Sequence, residues 1–392
     1  MRRLFSLVLL LAVFFFGGMG CLTAEAKERK TRETENTLQD IDQLDSIMGQ
    51  FDFEEMDEAM RELFPDERMD FKDTLLAVLS GDLDLTADLF GRLVSDQLGY
   101  AFRVGKENLI HILLIALIAA VFRNFSNIFT NRQISEAGFY ILYLLLIALC
   151  LNTFGAAADW VREGIENLTS FMGVFCPLYF LAVSVAKGSI TAAAFYNLVL
   201  FLIFLVEVLI VNVLLPAIHI YIMVKVLNFL SEEDYLSKFA ELLEVVISWT
   251  LKTMLACIIG LNVIQGLISP AIDTVKRSAL TRGAEAIPGI GDAIGGAAEV
   301  LLGTAVLVKN GIGMTGAVIS LALCIVPLVE IGCVVLMYKL AAALIQPVSD
   351  QRIVGCIESV GEGGRLLMRV VFTTGLLFLL TIVIVSAVTT GV

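Results

Sequence analysis

The chain changes character near residue 108. Before that point polar and apolar positions alternate at helical spacing, and after it apolar runs dominate. In Phe51–Phe64 the residues Phe53, Met56, Met60 and Phe64 recur three and four apart, the stripe of an amphipathic helix. Phe71–Leu79 and Leu85–Leu98 carry similar stripes, interrupted by Gly81 and Gly91. A crossing helix needs about 20 apolar residues. Gly138–Ala158, Leu168–Ala186 (interrupted by Pro177), Ala192–Leu215, Val245–Ile268, Met314–Leu344 and Leu366–Ala387 fit that length, and Leu109–Phe122 fits if it begins near Gly99. The apolar pattern continues past Pro216 to about Leu227. These runs predict an all-α, polytopic helical membrane protein with about seven spans. Gly283–Val308 stays open between an extra crossing and a re-entrant hairpin. Three regions result: a leader over 1–26, an acidic amphipathic-helical extracytoplasmic segment over 27–107, and a multi-pass transmembrane domain over 108–392.

Composition agrees. Of 392 residues 58% are hydrophobic and 17% charged, with mean hydropathy +0.85, against about 45–50% and about 25% in soluble domains. The net charge of −13 is concentrated: residues 27–107 hold 21 acidic and 10 basic side chains, a net −11. An acidic segment does not attract nucleic acid or an anionic membrane surface; it suits solvent or a basic partner.

Met1–Ala26 has the form of a signal peptide. Arg2 and Arg3 precede a short apolar stretch, Leu4–Phe16, and Ala24-Glu25-Ala26 offers cleavage between Ala26 and Lys27. Lipid attachment at Cys21 is the alternative. Cleavage leaves the mature N-terminus outside. Seven spans then place Arg123, Arg132, Lys276, Arg277 and Arg282 inside, and the acidic loops Asp159–Asn167 and Leu230–Glu244 outside, as the positive-inside rule requires. The expected last loop breaks the pattern, because Arg352 and Arg365 lie in it.

Several chemistries find no support. The seven cysteines show no CxxC, and His111 and His219 have no ligand partner at helical spacing, so neither a metal nor a cofactor is expected. Gly289-Ile290-Gly291-Asp292 matches the GxGD of intramembrane aspartyl proteases. That mechanism needs a second membrane aspartate, and Asp159, Asp234, Asp273 and Asp350 all fall in expected loops. No enzymatic activity is therefore expected.

The candidate functional residues are charges inside the spans. Glu207 sits mid-span, where charge costs about 2.5–3.5 kcal/mol on insertion scales, and Lys252 in the next span is its candidate counter-ion. Glu330 is the second such carboxylate, with Lys339 about 2.5 turns away. Each set reads either as a pore or substrate group or as a buried pair fixing helix register. Gly289, Gly291, Gly295 and Gly296 read as helix-packing glycines or as a flexible gate.

Longer ordered stretches bring a family into view. They are Leu168–Phe195, Ala286-Ile287-Pro288-Gly289-Ile290-Gly291, Leu307-Val308-Lys309-Asn310-Gly311 and Tyr338–Pro347. On these the chain resembles stage III sporulation protein AE of endospore-forming bacteria, over nearly its whole length. The resemblance implies a mother-cell membrane protein that joins other products of its operon, including a secretion-type ATPase and ring-forming proteins. Stage II sporulation protein Q is then met indirectly, across the intermembrane space. The implied function is a channel or transporter-like subunit needed for late forespore development, and a homo-oligomer is expected. The alternative is a non-conducting scaffold for the ATPase and rings.

Overall fold

The computed structural model describes residues 52–64, 70–80, 83–125, 132–187, 189–230, 234–284 and 291–388. Every described element is a helix. Two short ones come first, α1 (Glu54–Leu63) and α2 (Phe71–Ser80). Long ones follow: α3 (Leu83–Phe125), α4 (Arg132–Lys187), α5 (Ser189–Leu205), α6 (Leu215–Asn228), α7 (Ser237–Ala284), α8 (Gly291–Ile345) and α9 (Gln351–Val388). A π-helical stretch, Val206–Leu214, joins α5 to α6 in one rod. Pro216 explains it. Proline brings no N–H to the preceding turn and crowds the carbonyl four residues back, at Asn212. The wider π register relieves that crowding, and the Asn212 side chain donates to the Glu207 carbonyl at 3.2 Å.

Six of these rods, including the fused one, are long and apolar enough to cross a membrane among the described residues. They are also longer than a bilayer is thick. The 55 residues of α8 extend about 80 Å at about 1.5 Å per residue, against a hydrocarbon core of about 30 Å. Part of the bundle therefore stands outside the hydrocarbon.

Two expected loops are helical. Asp159–Asn167 lies within α4, so Gly138–Ala158 and Leu168–Ala186 form one rod and not two crossings. The expected last loop, between Leu344 and Leu366, is mostly the opening turns of α9, and the chain reverses in the few residues between Ile345 and Gln351. Residues 291–308 are the opening turns of α8, neither a separate crossing nor a re-entrant hairpin. The sidedness expected beyond Asp159 therefore no longer follows. Helix α3 also runs through residues 107 and 108 without a break.

Helices α8 and α9 form the centre: α8 packs on α9, α4 and α3, and α9 also meets α4, α7 and α6. The two short helices dock on the side of this bundle. Phe53, Met56, Met60 and Phe64 are all buried, as their spacing predicts, and so are Phe71 and Leu75. Asp52, just before α1, accepts from the Glu54 N–H at 3.0 Å. Asp57 accepts from the Phe71 N–H at 2.7 Å and holds α2 against α1.

Candidate functional site

Helix α9 carries Glu358, Glu362, Arg365 and Arg369 at intervals of four, three and four. That spacing places all four charges on one face. Glu358 is exposed at one end of this face, whereas Glu362, Arg365 and Arg369 are partly buried against neighbouring helices. Helix α6 contributes Tyr221 and Lys225, one turn apart, and α7 contributes Glu244 and Ser248 at the same spacing.

These side chains connect. Lys225 Nζ pairs with Glu362 Oε2 and also donates to the Tyr221 hydroxyl at 3.1 Å. The Lys225 ammonium stands 5.4 Å from the centre of the Tyr221 ring, within cation–π range. The Tyr221 hydroxyl donates onward to Glu244 Oε2 at 3.4 Å. Arg365 Nη2 reaches Glu362 Oε1 at 3.6 Å, and Arg369 Nη1 donates to Ser248 Oγ at 3.3 Å. The side chains of Lys225 and Glu362 are each about a quarter exposed, at 26% and 25%.

The network opens at one end onto a cavity of about 930 Å³ between the α6–α7 and α8–α9 connections. Tyr221, Lys225 and Glu244 form its inner wall; Asp234, Lys238, Glu241, Asp350 and Arg352 line the outer part. Its rim is braced at two points. Asn228 donates to Asp234 at 2.6 Å and accepts from the Leu236 N–H at 2.7 Å. The Asn228 bond is the main reason the exposed Asp234 carboxyl is held below the usual carboxylate range. Asp350 caps α9 by accepting from the Arg352 N–H at 2.9 Å.

Farther along the α7–α9 seam, buried Asn262 donates to Thr381 Oγ1 at 3.3 Å. Beyond it, Lys309 of α8 donates to the Ser386 carbonyl at 3.4 Å. Lys309 is fully buried. Its ammonium meets the carbonyl end of α9, where a helix favours positive charge.

The charges expected from sequence lie elsewhere and do not pair as expected. Glu207 and Lys252 are both exposed on the bundle surface, and no ion pair joins them. Glu330 is 9% exposed, but Lys339 points outward and forms no pair with it. The charge acting on Glu330 is a like one, Glu163 of α4. Next to it Gly164 lies against the Pro327 ring: a Cβ there would stand 2.7 Å from Cγ. Gly291, Gly295 and Gly296 fall in the first turns of α8, whereas Gly289 lies outside the described residues, as do Ala26 and Lys27. Asp159 and Asp273 are helical, not in loops.

The profile of the stage III sporulation protein AE family matches residues 69–389. The chain belongs to this family. It is 24% identical to stage III sporulation protein AE of Bacillus subtilis (strain 168) over 98% of this chain and 97% of the relative. No solved structure matches it. The family match takes in α2 to α9, hence the whole polar seam, and leaves α1 outside. One stretch that carried the resemblance, Leu307–Gly311, has defined structural work: Lys309 meets the end of α9, and Gly311 gives room to Leu75 and Leu79 of α2.

The network was obscured in the sequence by composition. Gly361-Glu362-Gly363-Gly364-Arg365 has the look of a loop, and Tyr221 and Lys225 trail a proline. The available signal was the spacing of the four charges between residues 358 and 369.

Proposed function

We propose that this chain is the membrane-embedded conduit of a sporulation complex connecting mother cell and forespore, a channel or transporter-like subunit required for late forespore development. One observation carries the reading: a network of acidic and basic side chains crosses between α6, α7 and α9 inside a largely apolar bundle and opens onto a charged cavity. Charges inside membrane helices face partners or a water-filled cavity and mark solute or ion pathways. A lipid anchor has no use for them.

The reading assigns the chain no catalysis. Among the described residues no three His, Cys, Asp or Glu side chains gather as a metal would need. It places the chain in the mother-cell membrane with the mature N-terminus outside, as a homo-oligomer beside the ATPase and ring-forming products of its operon. A scaffold role has its own support, since rods longer than a bilayer offer surfaces for partners on the aqueous side. Flux of small hydrophilic solutes from liposomes holding the purified protein decides between them. The conduit reading expects flux that changes in Glu362→Gln. Absence of flux, both alone and with the operon partners present, assigns the chain to scaffolding.

A further inference from the structure

The outward face of α4 changes along its length. Near its start it exposes Tyr140, Ile141, Leu144 and Leu145, and near its end Leu181 and Val185. Between Leu145 and Leu181 no large apolar side chain among the described residues of α4 is exposed. The exposed positions there include Asn152, Asp159, Arg162, Glu163, Glu166 and Ser170. Their spacing keeps them on one face of the helix. From Asn152 to the exposed Pro177 this stripe runs about 40 Å at about 1.5 Å per residue, longer than the hydrocarbon core of about 30 Å. Helix α1, whose Glu54, Glu55, Glu58 and Glu62 are exposed, packs on the same helix.

At the same height, across α8 and α9, the bundle surface is apolar. Gly164 of α4 lies against the Pro327 ring of α8, and α8 runs antiparallel to α9, with Val335 against Gly364 and Cys324 against Gly375. That stretch of α9 meets α7 through Arg369 and Ser248, and farther on through Thr381 and Asn262. The stripe is therefore level with Ser248–Asn262 of α7. There Trp249 is 69% and Leu261 40% exposed, and Lys252 is the one charge. Hydrocarbon all round at this height would bury the charges of α4, and water all round would wet the aromatic and aliphatic surface of α7; each is unfavourable. Lipid against α7 and water against α4 satisfies both.

We propose that the α4 stripe faces a water-filled space enclosed by further copies of this chain, with the α7 side of each copy turned to lipid. One chain cannot seal a polar stripe of this length from hydrocarbon; the same stripe on other copies supplies the remaining wall. Carboxylates outnumber Arg162 along it, so stripes in direct contact would repel each other, and water between them suits this composition. The inference rests on the conduit reading for passage, but not for the placement of water or of the copies. It adds a lumen between copies to the polar network inside each one.

Thiol labelling and cross-linking of the full-length protein in open membrane fragments test this placement without requiring flux. In a Cys257→Ser chain, Glu166→Cys puts a thiol on the stripe, and Ser170→Cys provides a second position should the first variant fail to fold. Leu261→Cys in the same chain reports the opposite side, as does native Cys257, which is exposed on α7. A charged, membrane-impermeant thiosulfonate is expected to label the stripe on the order of tenfold faster, because the reactive thiolate is disfavoured in apolar surroundings. Bifunctional thiol reagents are expected to join copies through Glu166→Cys with long spacers and not with the shortest. Equal labelling of the two sides overturns the proposal. So does a labelled stripe that no spacer joins to a second copy, or one that the shortest spacer already joins. Liposomes that pass no solute while the labelling and the cross-links persist would remove the conduit and leave the shared water-filled space standing.

Discussion

Gly316 of α8 lies against the ring of Phe175 on α4, closely enough that a side chain on the glycine would collide with the ring. The contact belongs to an aromatic column. Phe171, Phe175 and Tyr179 stack along α4 at 5.5 and 5.3 Å, and Phe71 of α2 approaches Phe175 at 6.5 Å. Gly313 faces Tyr179, and Gly311 faces Leu75 and Leu79. The glycines of this part of α8 are thus a groove for side chains of α4 and α2. Gly316→Ala is expected to destabilise the protein by about 1–3 kcal/mol, the usual cost of overpacking. Phe175→Leu in the same chain should recover much of that loss. Thermal unfolding of the detergent-purified single and double variants measures the coupling; purely additive losses would mean that the two side chains do not share the space.

Helix α1 is held by its buried stripe and by the Asp57 bond to the Phe71 N–H, since the Arg61–Asp70 pair beside it is exposed and such pairs contribute about 0–1 kcal/mol. Met60→Ala, at a fully buried position, is expected to cost about 2–5 kcal/mol of local stability. Hydrogen exchange should show α1 losing protection while α8 and α9 keep theirs. Equal loss across all three would make α1 part of the central cooperative unit.

The same periodicity that disclosed α1 was also present where the helices were misread. Along Asp159–Asn167 the buried residues Val161, Ile165 and Leu168 continue a helical spacing through a polar turn. In α9, Ile353, Ile357, Val360, Leu367 and Val371 do so beneath the glycines. Average hydropathy fell in both places and simulated a loop, because one face of each rod is charged while the other stays in the core. Helix class and the Phe/Met stripe were therefore legible. The number of rods was not, and neither was the partner of any interior charge. Pairing such as Lys225 with Glu362 links residues 137 apart in sequence and depends on how α6 and α9 cross.

The α6–α7 connection should loosen in acid. The Asp234 carboxyl is held below its usual range, chiefly by the Asn228 amide. A depressed folded-state pKa contributes stability above the unfolded value, and that contribution is lost as pH falls through the folded value. Amide exchange at Leu236, whose N–H is bound to Asn228, is expected to speed up below the ordinary carboxylate range once corrected for intrinsic rates. Asn228→Ala should exchange fast at every pH and lose the dependence. A pH response that persists in the variant would locate the titrating group elsewhere.

The placement of the carboxylates separates surface groups from interior ones. Glu207 is exposed and makes no ion pair, so Glu207→Gln should leave protein level and sporulation unchanged. Glu330 is a buried carboxyl that also meets a like charge in Glu163, so Glu330→Gln removes an unfavourable burial and should be neutral or slightly stabilising. Glu362→Gln differs from both. It leaves Lys225 and Arg365 facing each other without the carboxylate that both contact. Removing one partner of a buried pair costs about 3–5 kcal/mol, and partial exposure lowers that figure here. Heat-resistant spore counts from a sporulating host carrying each variant in place of its own copy, read beside immunoblots, rank the three. Glu362→Gln should reduce spore yield most, and Glu362→Gln with Lys225→Met should recover protein level but not spores. Recovery of both would make the pair a packing device, whereas recovery of protein alone ties the charges to passage.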